Sequence, residues 1–251
     1  MKRVNLKILK MIIVIFFSLV LANTAAAASG NIAYVSQKIT KAYFYLNMGI
    51  RVANARKDLK NGMDTLNDAI KALEKTAMDE EEKNVLMFIS FTRDQMAGVL
   101  KQPYTAENGA MMLDFSESLL EGAELIAEKQ VGKKGGEEGM LNVVERMEFL
   151  LERITKYYIS HKAGFKDYNN VVQLENAIKK FEADLTKVNA YHYPADLQDT
   201  IVKLNKFWPI ARGFYVGIEK GSLPVIVMAS TDNLKKLLNK LIKFHQKAAK
   251  K

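Results

Sequence analysis

Apolar positions recur along this chain with helical spacing, and nowhere does the two-residue alternation of a strand persist. Leu59, Met63, Leu66, Ile70 and Leu73 are spaced 4, 3, 4, 3, and so are Leu174, Ile178, Phe181, Leu185 and Val188. Two further pairs of segments behave alike. Ile32, Val35, Ile39, Ala42 and Leu46 match Met147, Leu150, Ile154, Tyr157 and His161. Leu86, Ile89, Arg93, Met96 and Leu100 match Ile201, Leu204, Trp208, Ala211 and Tyr215. Each series is the inward stripe of an amphipathic helix, with polar residues filling the other face.

The paired segments lie 115 residues apart, and one gapless shift aligns them all. Lys38-Ile39-Thr40-Lys41-Ala42-Tyr43 falls on Arg153-Ile154-Thr155-Lys156-Tyr157-Tyr158, Gly49 on Gly164 and Gly98 on Gly213. The pattern predicts an all-α chain of two tandem up-down four-helix bundles, one behind the other, related by an internal repeat. The first bundle spans 29–130 and the second 142–251, with a Gly-rich, charged hinge over 131–141. Asp79 with Glu82 predicts a capping box. Ser222 followed by Pro224 suits the start of a helix, and Pro209 predicts a kink in the third helix of the second copy. Only Gly49 or Gly164 separates the first two helices of each copy, so these read as nearly continuous.

Residues 1–28 change the picture. They carry Lys2, Arg3, Lys7 and Lys10 and no acid, then an apolar stretch over Met11–Ala22, then the small residues Ala25-Ala26-Ala27-Ala28. That order predicts a secretory signal peptide cleaved near Ala27 or Ala28, and an exported, periplasmic product. The apolar stretch falls short of the roughly 20 residues of a membrane span, so no integral span is expected after cleavage. The 251-residue chain has a formal charge of +9 (Lys+Arg 37, Asp+Glu 28), of which the first ten residues supply four. The remainder is diffuse and lacks a basic cluster interleaved with aromatics, so nucleic acid is not an expected partner.

Cysteine is absent, which excludes disulfides, thiolate metal centres and cysteine nucleophiles. The histidines are three: His161, His192 and His245. No nucleophile–base pattern, metalloprotease motif or phosphate-binding glycine loop is present, so no enzyme activity is expected.

Ser36-Gln37-Lys38-Ile39-Thr40-Lys41-Ala42-Tyr43-Phe44-Tyr45-Leu46 is similar to the signature of the N-terminal sensor domain of type IV pili methyl-accepting chemotaxis transducers, the PilJ-type domain. That domain is related to the helical sensor domains of nitrate/nitrite sensor kinases. Gly30 and Ser36-Gln37-Lys38 fit the signature in register, and the second copy fits through Leu150, Arg153-Ile154 and Lys156. The later part of that copy also resembles the family, through Phe181, Leu185, Trp208, Leu234, Leu238 and Leu241. The resemblance covers nearly the whole chain after the signal segment. It implies a non-enzymatic sensory or docking module without cofactor, which binds a small ligand, an anion among them, or a membrane receptor, pilus or envelope component. A dimer is compatible with it. The family's central anion-holding arginine falls at Ala33 in one copy and Glu148 in the other. Arg146 lies two positions earlier, about 200° round the helix, and does not substitute for it.

The candidate ligand- or partner-binding residues are Ser36, Gln37, Lys38, Lys41, Arg93, Arg146, Arg153 and Lys156. Ser36 to Lys41 form a polar patch that serves either as a binding surface or as a solvated helix face. Arg93 stands on an inward stripe, where a charge needs a partner or must reach the bundle edge. Two other readings stay open: a structural spacer of the envelope, and a haem-binding periplasmic four-helix electron carrier. The segment around Met63 and the segment Phe244-His245-Gln246-Lys247 resemble the axial-ligand segments of exported b-type cytochromes, but they fall in different copies.

Overall fold

A computed structural model describes residues 6–76, 79–131, 139–221 and 223–248, with side chains from residue 25 onward except 130, 131 and 220. The helices are α1 (Leu6–Asn47), α2 (Val52–Glu74), α3 (Glu80–Val99), α4 (Ala106–Val131), α5 (Met140–Lys162), α6 (Tyr168–Ala190), α7 (Ala195–Val216) and α8 (Pro224–Ala248). A short 3-10 turn, Ile218–Lys220, precedes α8. Among the described residues there is no strand.

Local chemistry explains the helix ends. The Asp79 carboxylate accepts from the Glu82 amide at 2.8 Å, and the Asp79 amide donates to the Glu82 carboxylate at 2.9 Å, which satisfies two of the orphan donors of α3. Asp167 caps α6 through the Asn170 amide at 3.0 Å. Gly49 (φ 70°) and Gly164 (φ 108°) take up the left-handed conformation that an L side chain resists. That conformation lets the amide of Ile50 reach the carbonyl of Tyr45 (2.8 Å), and the amide of Phe165 that of Ser160 (3.0 Å). The chain therefore reverses at each glycine and does not run on. α2 folds back along α1, and α6 along α5. Pro209 lies inside α7, which continues through it to Val216.

The predicted stripes become two cores. One is drawn from α1 to α4, around Ile32, Ile39, Leu66, Ile70, Ile89 and Leu119. The other is drawn from α5 to α8, around Met147, Ile154, Phe181, Trp208 and Leu238. Phe181 stacks on Trp208 with ring centroids 4.0 Å apart. Two corresponding helix ends keep the 115-residue register, α1 and α5 at Asn47 and Lys162, and the starts of α3 and α7 at Glu80 and Ala195, while the remaining ends of α2/α6, α3/α7 and α4/α8 are offset by 116 to 118.

The two helical sets lie side by side, not one behind the other. α1 packs along α5, and Ile159 and Met228 from the second half enter the core of the first. Gly109 of α4 admits the Phe165 ring, which meets Phe44 at 5.3 Å between centroids. The physical reason is that α1 and α5 each carry a second face able to be buried, beyond the stripe that fills their own core.

Residues 6–28 of the expected signal segment form the first part of α1, which runs on without a break to Asn47; residues 1–5 lie outside the described residues. Ala25 and Ala28 are buried in the first core, and the Ser29 hydroxyl donates to the Ala25 carbonyl at 3.0 Å. The expected hinge lies outside the described residues over 132–138, and Gly139 is the N-cap of α5. Among the described residues, no helix is long and apolar enough to cross a membrane.

Close packing at one glycine and open space at another give a paired test. A Cβ at Gly62 would stand 2.6 Å from Ile39 Cγ1, whereas a Cβ at Gly213 meets nothing within 4 Å. Gly62→Ala is expected to lower stability by about 1–3 kcal/mol through overpacking against a stiff side chain. Gly213→Ala is expected to raise it by up to about 1 kcal/mol through helix propensity. Urea denaturation of both variants checks the pair.

Candidate functional site

From Leu150 to His161 every residue of α5 is buried. That run contains Glu152, Arg153, Thr155, Lys156, Ser160 and His161, each of which must find a partner inside the protein. Thr155 and Ser160 use carbonyls of their own helix, at 2.7 and 3.1 Å. The charged side chains reach other helices.

Glu152 is fully buried at the meeting of α1, α5 and α8. Lys41 Nζ lies 2.5 Å from its Oε2, and Lys235 donates to its Oε1. Lys235 also donates to the Tyr34 hydroxyl at 2.8 Å, and that hydroxyl donates to Glu152 at 3.3 Å. Burial alone would push the Glu152 carboxyl up, but the two ammonium groups overcome it and hold it well below the usual carboxylate range. Burial pushes the Tyr34 phenol far above its ordinary value, with the Glu152 charge adding to it.

One helical turn on, Lys156 donates to Glu117 at 2.5 Å and to the Ser116 hydroxyl at 3.0 Å, both on α4. Its ammonium also sits 4.0 Å from the centre of the Tyr157 ring. Burial pushes Lys156 down to about 8 despite the pull of Glu117. Burial would raise Glu117, but Lys156 and Arg153 together hold it below its ordinary value. Arg153 ties three helices: its Nη2 donates to Glu117 on α4 at 2.7 Å and to Gln173 on α6 at 2.9 Å. Its Nη1 is buried and has no partner.

Arg153 closes one end of a cleft of about 270 Å³ formed by α4, α5 and α6. Each helix contributes residues at i, i+3, i+4 and i+7, the spacing of one face over two turns. From α4 come Glu117, Leu120, Glu121 and Glu124; from α5, Arg146, Phe149, Leu150 and Arg153; from α6, Gln173, Asn176, Ala177 and Lys180. The floor is apolar and the rim charged. At the far end Arg146 grips Asp184 with two bonds, Nε to Oδ2 at 2.7 Å and Nη2 to Oδ1 at 2.6 Å.

The residues expected from sequence divide accordingly. Arg146 and Arg153 share the cleft, and Lys156 lies beside it through Glu117. Lys41 belongs to the Glu152 cluster. Ser36 and Gln37 are buried against α4, where Gln37 donates to the Ser116 carbonyl at 3.1 Å and to Ser36 at 3.0 Å, so they form neither an open surface nor a solvated face. Lys38 pairs with Asp58 at 3.0 Å, and Arg93 donates to Asn67 at 2.5 Å, both away from the cleft. Sequence reasoning missed Tyr34, Glu117, Glu152, Gln173 and Lys235. The one available signal was the lysine shared by the two copies, Lys41 and Lys156, which demands an acid somewhere across the interface.

The histidines do not converge. His161 meets Glu219 at 2.8 Å, and His245, lowered by burial, meets the Tyr193 hydroxyl at 2.9 Å. Met63 borders the first core while His245 lies at the second. Among the described residues no group of three or more His, Asp or Glu side chains is placed to hold a metal.

Two titration experiments test these clusters. Glu152→Gln leaves two buried ammonium groups facing an amide and is expected to cost about 3–5 kcal/mol at neutral pH. Because the folded carboxyl sits below its unfolded value of 4.5, its stabilisation is present above that value and lost as pH falls below it. The variant should therefore show a shallower loss of Tm between pH 5 and 3, on a scale of about two pH units. Lys156 has a slope of the same sign in a higher pH window. Between its folded value of about 8 and its unfolded 10.5, the unfolded chain binds more protons, so its contribution to stability rises with pH. Lys156→Met should abolish that rise, on the order of 1–3 kcal/mol, in denaturation curves taken from pH 8 to 10.

No protein-family model matches this chain, and neither a curated protein nor a solved structure matches it.

Proposed function

We propose that this chain is an exported, non-enzymatic binding module, made from two copies of one ancestral helical bundle, that takes a small ligand in the cleft where the copies meet. The observation that carries the reading is the cleft itself, because α4 of the first copy and α5 and α6 of the second each supply one wall. A ligand seated there touches both copies at once, so its binding energy depends on how they are docked. Output is a shift of α4 against α5, read by a receptor, pilus or envelope partner, as the PilJ-type resemblance implies. The matched helix ends, the paired glycine turns and the shared Lys41/Lys156 position support the duplication. The apolar floor and charged rim of the cleft suit a binding role. Its carboxylate nearest Arg153, Glu117, is held ionised and is unsuited to donate a proton.

The test has two parts. The chain recovered from the periplasm should have lost residues 1–28 by intact mass. A thermal-shift screen of small metabolites on that protein should find a stabilising ligand. Asn176→Trp, which fills the cleft from its exposed rim, should abolish that stabilisation while leaving the unliganded Tm within about 1–2 °C. A ligand whose effect survives Asn176→Trp, or a full screen with no stabilisation, would favour the envelope-spacer reading instead.

A further inference from the structure

We propose that this chain associates with itself head to tail, the outward face of α8 on one molecule seating against the outward face of α4 on the next.

α4 and α8 are the last helices of the two halves, and they carry opposite charge. α4 holds Glu107, Asp114, Glu117, Glu121, Glu124 and Glu128 against Lys129. α8 holds Lys235, Lys236, Lys240, Lys243 and Lys247 against Asp232. Glu117 and Lys235 turn inward to the clusters on α5. The others are organised on the outside. Lys236, Lys240, Lys243 and Lys247 are exposed and spaced 4, 3, 4, which keeps them within about 60° of arc in a stripe roughly 16 Å long. Glu107, Asp114, Glu121 and Glu128 are exposed and spaced 7, 7, 7. That spacing drifts only about 20° per step and makes a stripe roughly 32 Å long. Glu121 and Lys236 stand at positions 115 residues apart, and so do Glu128 and Lys243.

Neither stripe is settled within the molecule. None of these eight side chains has an ion-pair partner among the described residues. Like charges at i, i+3 and i+4 repel along a helix, and a solvated helix is ordinarily laced with both signs. The lysine stripe therefore gains from an acidic face laid over it, and this chain carries one of its own.

The two stripes cannot meet in one molecule. α4 packs on α1 and reaches α5 through Glu117, while α8 packs on α5 and reaches α1 through Lys235 and Tyr34. Both helices flank the α1–α5 pair without packing along each other, so they lie on opposite sides of it. Complementary faces on opposite sides of one body make a heterologous contact, which propagates as a ring or a filament and does not close as a two-fold dimer. Apolar side chains accompany both charged faces. Phe88 and Phe91 on α3 and Leu125 on α4 are exposed on the acidic side, and Val202 and Ile210 of α7 on the basic side. They supply apolar area that charge alone lacks.

Sedimentation velocity of the chain recovered from the periplasm tests this, at protein concentrations up to about 100 μM. Association is expected at about 50 mM salt and should weaken on the order of tenfold or more at about 0.5 M. Two triple variants each reverse one face: Lys236→Glu with Lys240→Glu and Lys243→Glu, and Glu107→Lys with Asp114→Lys and Glu128→Lys. All six side chains are exposed and none lines the cleft, so fold and cleft are preserved. Each variant alone should stay monomeric, and an equimolar mixture of the two should associate again. A control, Lys57→Glu with Lys71→Glu and Lys75→Glu, makes the same change of net charge at exposed positions of α2 and should associate like the wild type.

A wild-type chain that is monomeric at low salt overturns the proposal, as does association that either triple variant leaves unchanged or that the α2 control also abolishes. If the chain stays monomeric but pellets with phosphatidylglycerol vesicles, and the lysine variant does not, α8 serves an anionic membrane and self-association is overturned.

Discussion

The arrangement depends on a single buried carboxylate. Glu152 lies on α5 with no exposure to water, between Lys41 of α1 and Lys235 of α8. A second carboxylate, Glu148, lies 3.8 Å from Lys235, and the Tyr34 hydroxyl, which donates to Glu148 as well as Glu152, joins the two acids. Such a group gains little net stability over an apolar one, because desolvation offsets most of the attraction. Its consequence is directional. A sliding of α1 against α5 by even one turn would strand three charges in the interior, so the register between the two halves is fixed more sharply than apolar packing alone would fix it.

The same logic runs down the length of α5. Glu152 and Lys156 are one turn apart and point to different partners, Lys41 with Lys235 in one case and Glu117 in the other. Arg153, between them, reaches both α4 and α6. A helix buried on all sides would ordinarily be apolar all round. Here it carries alternating charges, each neutralised by a different neighbour, and so acts as the locking element between two cores that share Ile159 and Met228. Across the seam, Lys41 takes an acid from the second half and Lys156, its counterpart 115 residues on, takes one from the first.

What the sequence revealed follows from this division. Helices, cap positions and the 115-residue register are local or periodic properties, and the stripes from Leu59 to Leu73 and from Leu174 to Val188 do mark core faces. All five residues of the second stripe are buried, along with Leu66, Ile70 and Leu73 of the first. The docking of the halves was not legible, because the face of α1 that meets α5 carries Tyr34, Gln37 and Lys41 and looks like a solvent face by its composition. Ser36 and Gln37 were singled out for their polarity, and both are buried, Ser36 on the Ala33 carbonyl of its own helix and Gln37 on the Ser116 carbonyl of α4. Arg153 was singled out through the family resemblance, and Arg146 through its position near the family's arginine. Their seven-residue spacing does place them on one helix face, but the acids and amides that complete the cleft come from α4 and α6, which no pattern within α5 can indicate.

The cleft is itself a product of how these charges are settled. α4 belongs to the first core and is drawn to α5 at one level by Glu117, through Lys156 and Arg153. α6 belongs to the second core and is held to α5 at two levels, by Gln173 and by Asp184. Beyond Glu117 no described ion pair joins α4 to α5 or α6, and the exposed Glu121 and Glu124 line the cleft there. An apolar contact would have zipped the three helices shut. Acids opposite a neutralised arginine have no partner there, and the cleft lies along that stretch. The Glu117–Lys156 contact that joins the halves therefore stands at one end of the cleft.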